Sequence, residues 1–259
     1  MFNLIDGFTI FGLNVKFYGI LMASAMLIGV ILACKNAKSR GLTSDNIFAL
    51  ALYILPLAII GARLVYVLGA DHSYTFLEMI KIWEGGMSIY GGIIGGAVGV
   101  LVFCLIHKKN FLDVADVAVV SLILGQAIGR WGNFFNQEVY GRIITDPSWQ
   151  WFPFGVLLDN GEWHYALFFY EFLLNLAIFV LLLYILKKVK TKGYVMSAYL
   201  VAYGTIRFIL EPLRVETYNL MLFGLKLSSL ISIIAIIAGI VSFVLIYTIT
   251  KRRKKDEKE

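Results

Sequence analysis

The chain of 259 residues alternates long apolar runs with short polar stretches. Seven runs, near residues 15–34, 46–69, 86–106, 112–134, 166–186, 194–213 and 226–249, are each about 20 residues or slightly longer, enough for a helix to cross ~30 Å of hydrocarbon. The pattern predicts an all-α integral membrane protein. It forms a bundle of about seven transmembrane helices in a single domain over residues 1–250, followed by a basic tail at 251–259. The segment 135–165 is rich in Trp, Pro, Gly, Asn and Asp and reads as a small extracytoplasmic cap between the fourth and fifth spans. Trp149, Trp151 and Trp163 suit a lipid–water boundary. There is no internal repeat and no inverted pair of interrupted helices, which weakens a transporter reading.

Composition agrees with this pattern. The chain is 59% hydrophobic and only 15% charged, whereas a soluble domain is roughly 45–50% apolar and about 25% charged. Met1–Gly12 lacks a basic region and a small-residue cleavage site, so it does not read as a removable signal peptide. Cys34 and Cys104 both fall at expected inner helix ends and are not expected to form a disulfide.

The net charge of +6 does not point to nucleic acid, because its distribution is topological. Basic clusters at 35–40, 108–109, 187–192 and 251–258 follow the first, third, fifth and seventh runs. All four lie on one side, which the positive-inside rule makes the cytoplasm. The N-terminus is then outside and the C-terminus cytoplasmic.

That topology sends polar residues from five spans to the outer level: Tyr18 from the first, Arg63 and Tyr66 from the second, and Ser88 and Tyr90 from the third. Gln126, Arg130 and Asn133 come from the fourth, and Tyr203, Arg207, Glu211 and Arg214 from the sixth. Gln126, Arg130, Asn133 and Gln137 share a face if the helix continues that far, as do Tyr203, Arg207, Glu211 and Arg214. A guanidinium keeps its proton in a protein and costs about 2.5–3.5 kcal/mol at bilayer depth on insertion scales. Internal pairing is one answer: Arg207 with Glu211 at i, i+4, and Arg130 with Glu138 or Glu171. The other is a clamp for one phosphate built from arginines on different helices, since the planar fork donates two parallel hydrogen bonds. Gly91, Gly95 and Gly99 form a small-residue stripe that suits close helix packing, as do Gly125, Gly129 and Gly132. His72, His107 and His164 show no metal-ligand spacing, so neither a metal nor a cofactor is expected. Asp113 and Asp116, at the start of the fourth span, read as structural.

Gly129-Arg130-Trp131-Gly132-Asn133-Phe134-Phe135-Asn136-Gln137-Glu138-Val139-Tyr140-Gly141 resembles the signature G-R-x-G-N-F-x-N-x-E-x-x-G of the phosphatidylglycerol–prolipoprotein diacylglyceryl transferases of bacteria. Tyr203-Gly204-Thr205-Ile206-Arg207-Phe208-Ile209-Leu210-Glu211, with Arg214 following, is similar to that family's second arginine motif. Tyr18-Gly19 and Gly61-Ala62-Arg63-Leu64 match further motifs, and Trp83-Glu84-Gly85-Gly86-Met87-Ser88 precedes the stretch that corresponds to the family's H-G-G-L-I-G. Two positions depart from the family pattern. Tyr90 stands where the family usually has a histidine before Gly-Gly, and a phenol with a pKa near 10 orients or donates at pH 7 rather than abstracting a proton. Tyr165 and Ala166 replace a His-Pro pair ahead of Tyr170-Glu171, with His164 one residue earlier.

The resemblance implies transfer of a diacylglyceryl group from phosphatidylglycerol to the lipobox cysteine of a preprolipoprotein signal peptide. The reaction forms a thioether and releases glycerol 1-phosphate. It implies a multi-pass protein of the bacterial cytoplasmic membrane, with the lipid bilayer as surroundings and the two substrates as partners. In that reading Arg130 binds the phosphate and Asn133 hydrogen-bonds the headgroup. Arg207 stabilises the departing phosphate, held by Tyr203 and Glu211. Tyr18, Tyr90 and Arg63 line the cavity, and Glu138 and Gly141 complete the substrate-binding set, with Glu138 also a candidate base. The competing reading is a transporter or flippase for an anionic lipid or phosphate ligand. It predicts polar residues continuing towards the inner side, where this chain is nearly all apolar.

Overall fold

The computed structural model describes residues 7–10, 13–70, 74–82, 85–215, 221–222 and 224–256. His72, Trp83-Glu84 and the last three residues of the basic tail lie outside the described residues. The helices are α1 (Phe17–Ala37), α2 (Ser44–Leu68), α3 (Phe76–Ile80), α4 (Ile89–Ile106), α5 (Phe111–Phe135), α6 (Leu167–Lys188), α7 (Tyr194–Leu210) and α8 (Leu227–Asp256). Six of them, α1, α2, α4, α5, α6 and α8, are long and apolar enough to cross a membrane. The remaining expected span is α7, with 17 helical residues, about 25 Å at the helical rise, prolonged by a 3-10 turn at Glu211–Leu213. Helices dominate because hydrocarbon offers no partner to backbone N–H and C=O groups, so each span satisfies its own.

Three short antiparallel hairpins, which the all-α pattern does not predict, pair β1 (Gly7–Ile10) with β2 (Leu13–Lys16), β3 (Gly155–Leu157) with β4 (Trp163–Tyr165), and β5 (Met221–Leu222) with β6 (Leu225–Lys226). The β3–β4 hairpin lies in the segment between α5 and α6 that the sequence marks as a cap. There Trp149 and Trp151 each meet Phe154 edge-on, and Trp151 and Phe152 remain exposed.

The chain divides into two compact units. One comprises Ala33–Val117. Its main contact is α2 against α4, and the glycine stripe is what makes it close. A Cβ on Gly91 would fall on the Gly61 carbonyl and one on Gly95 on the Leu57 carbonyl, while one on Gly99 would lie 2.8 Å from the Ile54 Cα. Without side chains the two backbones touch, as small residues allow in membrane helices. Thr43 caps α2 through a reciprocal exchange with Asn46. Below it, Arg40 Nε donates to Asp116 Oδ2 at 2.9 Å, with both side chains almost fully buried.

The other unit comprises the residues up to Leu32 together with those from Ala118 onward. Its core joins Val119, Val120 and Ile123 of α5, Ile178, Leu182 and Leu186 of α6, and Val195 and Tyr199 of α7. These positions recur at three and four residues, the spacing of one helix face. Gly204 and Gly239 bring α7 and α8 together, where an added Cβ would meet the Ser232 and Ser197 carbonyls at 3.0 and 2.9 Å. Many large apolar side chains stay exposed, Leu174, Val180, Ile234 and Ile240 among them, as suits lipid-facing positions.

Candidate active site

Arg130 projects from the last turns of α5, Glu171 from the first turns of α6, Arg207 from the last turn of α7, and Glu211 from the 3-10 turn that follows it. Antiparallel succession along the chain brings these ends to one level. Glu171 is 2% exposed, and its carboxylate lies between two guanidinium groups. Oε1 accepts from Arg207 Nη1 at 2.9 Å, and Oε2 lies 2.5 Å from Arg130 Nη2. The Arg130 contact is an ion pair by distance without hydrogen-bond alignment, since Oε2 accepts no hydrogen bond among the described residues. Arg207 Nη2 donates to Glu211 Oε2 at 2.8 Å, and Ser228 at the start of α8 donates to Glu211 Oε1 at 2.6 Å.

The network also runs the other way. Arg130 Nη1 makes a long 3.4 Å bond to Asn133 Oδ1, and Asn133 Nδ2 donates to Glu138 Oε1 at 3.0 Å. Asn136 Nδ2 donates to the same oxygen at 3.3 Å. Four helices and the segment after α5 thus carry one string of polar groups, Glu138–Asn133–Arg130–Glu171–Arg207–Glu211–Ser228. Charges taken out of water are stable only when paired and hydrogen-bonded in this manner. An open cavity of about 550 Å³ lined by Lys16, Tyr18, Phe135, Asn136, Gln137, Glu138 and Asp159 reaches the string at Glu138, a volume in the range of small-molecule sites.

Tyr18 enters this region because Gly132 admits it. The Tyr18 ring lies against α5 where a Cβ on residue 132 would be 2.6 Å from Cδ2, and it feels the charges of Glu138 and Arg130. Arg214 stands beyond the 3-10 turn, and its backbone bridges to Gly141. Burial lowers its pKa from the usual arginine value and Arg207 lowers it further, while Glu211 and Glu171 oppose the shift and Arg130 adds to it.

Several expected participants stand differently. Tyr203 stacks on Tyr199 with ring centroids 5.5 Å apart, and among the described residues its hydroxyl has no hydrogen-bond partner, so Glu171 and Glu211 are the side chains seen holding Arg207. Gln137 does not share the α5 face: the helix ends at Phe135, Gln137 takes a positive φ of 49°, and its side chain accepts from the Asp159 N–H. Gln126 instead bonds the Tyr199 hydroxyl. Gly141 acts through its backbone. Its N–H donates to Tyr165 O at 2.9 Å and its carbonyl meets His164 Nδ1 at 2.8 Å, with no room for a side chain against Tyr165. His164 is thereby a buried strut of the hairpin. Arg63 and Tyr90 belong to the other unit. Arg63 is 7% exposed and donates to four backbone carbonyls, those of Glu78, Met79, Gly85 and Gly86, so its fork anchors the segment from α3 to α4. Tyr90 sits in the first turn of α4, half-buried, and its side chain makes no hydrogen bond among the described residues.

From the sequence, Glu171 is only a possible partner of Arg130 and not one of the expected catalytic or binding residues. Its signal is that of a lone acid near the start of an apolar span, which in a membrane needs a cation. Ser228 had no comparable signal, because a serine at a helix start is ordinary. Among the described residues no group of three His, Cys, Asp or Glu side chains is placed to hold a metal.

Apolar spans around a buried arginine–carboxylate string define an integral membrane protein with a polar centre among its helices. Comparison with known proteins narrows the class. The family model for prolipoprotein diacylglyceryl transferase matches residues 7–245. The chain is 38% identical over 254 residues to phosphatidylglycerol–prolipoprotein diacylglyceryl transferase 1 of Clostridium perfringens, covering 96% of each chain. It is 36% identical over 253 residues to the corresponding transferase of Clostridioides difficile, covering 96% of this chain and 98% of that one. It is 38% identical over 237 residues to that of Finegoldia magna, covering 90% and 92%. The chain belongs to the prolipoprotein diacylglyceryl transferase family.

Proposed function

We propose that this protein transfers the diacylglyceryl group of phosphatidylglycerol to the lipobox cysteine of a preprolipoprotein, at the outer face of the bacterial cytoplasmic membrane. The N-terminus is outside and the C-terminus is cytoplasmic, as the four basic clusters favour. The observation that carries the reading is the pair of guanidinium groups, from α5 and α7, held by the single carboxylate of Glu171.

The chemistry is a displacement at a saturated carbon. The cysteine thiol gives up its proton, its sulfur bonds the glycerol methylene, and the C–O bond breaks with its electron pair leaving on the phosphate. Charge therefore grows on the departing phosphate oxygens. Arg130 and Arg207, fixed in advance by Glu171 and Glu211, provide donors with no reorganisation at the moment of reaction. A thiol has a reference pKa near 8.5, and nearby guanidinium groups lower it. Asn133 hydrogen-bonds the headgroup, Tyr18 and Glu138 line its cavity, and Gly141 positions the segment beside it.

The test is reconstitution of purified protein with phosphatidylglycerol and a lipobox peptide. Glycerol phosphate release should accompany a matching gain in peptide mass. Arg130→Ala and Arg207→Ala should abolish both in folded protein. Near-full activity in both variants, or lipid movement without bond cleavage, would reject the reading.

A further inference from the structure

We propose that Arg214 is the side chain that captures the anionic phosphate of the lipid donor, leaving Arg130 and Arg207 to act on a phosphate already held. The inference rests on the diacylglyceryl transfer proposed above and assigns a binding residue to it.

Its ground is the allotment of charge. Glu171 gives one oxygen to Arg130 and one to Arg207, and Glu211 takes a second nitrogen of Arg207. Arg214 is half-buried, and among the described residues its guanidinium has no ion pair and no hydrogen bond. It nevertheless lies within electrostatic reach of all four of these groups. Among the described residues three guanidinium groups thus share two buried carboxylates, and Arg214 is the one that neither of these carboxylates holds. Glu138, the further acid of the string, is exposed and occupied by two amides.

The backbone fixes this cation in place. The Arg214 N–H donates to Glu211 O at 3.2 Å, closing the 3-10 turn, and the Arg142 N–H donates to Leu213 O at 2.9 Å. Together with the Gly141 bridge, these bonds pin Arg214 between the end of α7, which carries Arg207, and the segment after α5, which carries Glu138. An anion arriving at Arg214 displaces no carboxylate of the described residues. At Arg130 or Arg207 it must compete with one that is already buried and paired, a costly exchange. The guanidinium fork suits two oxygens of a phosphodiester. It equally suits a free phosphate monoester such as the released product, so the experiment separates the two.

Steady-state transfer is measured with Arg214→Gln and Arg214→Lys in proteoliposomes at varied phosphatidylglycerol, with glycerol 1-phosphate as an added inhibitor and thermal melts as a fold check. Expected for Arg214→Gln is a KM for the lipid raised roughly tenfold or more, as for loss of a hydrogen bond to a charged group, with kcat within about twofold, the mark of lost ground-state binding. Arg214→Lys, which keeps the charge but not the fork, should fall between. An unchanged KM in folded Arg214→Gln overturns the proposal. So does a loss confined to kcat, or weaker inhibition by glycerol 1-phosphate with lipid KM unaltered, which would assign Arg214 to the product. Absence of transfer by the unsubstituted protein would instead reject the proposed function itself.

Discussion

Glu171 Oε1 accepts a hydrogen bond from Arg207 Nη1 at 2.9 Å, and because the same carboxylate faces Arg130, one acid sets the spacing of two cations. Glu171→Gln removes that charge and leaves both arginines facing a neutral amide. Breaking a buried pair on one side costs about 3–5 kcal/mol. Loss of electrostatic preorganisation lowers turnover on the order of a hundredfold or more. Transfer assays on detergent-purified Glu171→Gln, beside a melting curve, measure both. Activity above a tenth of the unsubstituted level would show that the bridge is dispensable.

Gly132 leaves the space that the Tyr18 ring occupies, and even one methyl there would be 2.6 Å from Cδ2. Gly132→Ala should push Tyr18 away from Glu138 and Arg130, lowering transfer by roughly ten- to a hundredfold, as displacements of about 1 Å do in active sites. Thermal stability should fall little, because a ring at a helix surface has somewhere to turn. Equal activity in Gly132→Ala would remove Tyr18 from the site.

In the other unit the expected effect is on folding. A side chain at Gly95 would overlap the Leu57 carbonyl, which is backbone and cannot rotate aside. Gly95→Leu should force α2 and α4 apart and cost at least the ~1–3 kcal/mol typical of overpacking, read as a lower midpoint in denaturant-induced unfolding from detergent micelles. Gly85→Ala makes a poor comparison because its φ of 88° already demands glycine. Gly96→Ala, where the nearest atoms are 3.9 Å from an added Cβ, is the matched control and should melt like the unsubstituted protein.

Arg40 and Asp116 make a buried pair whose partners lie 76 residues apart in the chain. Asp116→Leu alone strands a guanidinium and should destabilise by about 3–5 kcal/mol. Arg40→Met with Asp116→Leu should recover most of that loss, since a buried pair replaced by apolar groups is often neutral. A double variant no more stable than the single one would mean the pair also serves a third group.

The apolar runs made the spans legible to within about three residues at most ends, because a helix in lipid is dictated by length and composition, though α8 runs on to Asp256, beyond its expected end at 249. Ser44–Leu68 and Phe111–Phe135 sit within two residues of the bounds read from the sequence. What hydropathy left out is local: the hairpins at Gly7–Lys16 and Gly155–Tyr165 depend on turns and pairing that no apolar period reports. At the site, the i, i+4 spacing disclosed the Arg207–Glu211 pair. The same helical extrapolation failed for Gln137, because the backbone leaves the helix before it. The charge-derived topology put Arg63 at the outer level without revealing that its donors close on backbone carbonyls, since such partners have no identity in a sequence. Glu171 was legible as a possible partner of Arg130 but not as the bridge to Arg207, because its two arginines come from runs on either side of its own.

That arrangement also bears on how the protein is made. Arg130 lies on α5, and Glu171 on α6 is the next span to leave the ribosome. Arg207 follows on α7 with Glu211 one turn behind it, and Ser228 opens α8. Within the string each arginine thus has a carboxylate on its own helix, on the 3-10 turn that extends it, or on the helix next to it in the chain. Arg130 and Arg207 need no helix beyond the next to find a carboxylate, whereas Arg40 meets Asp116 only 76 residues further on.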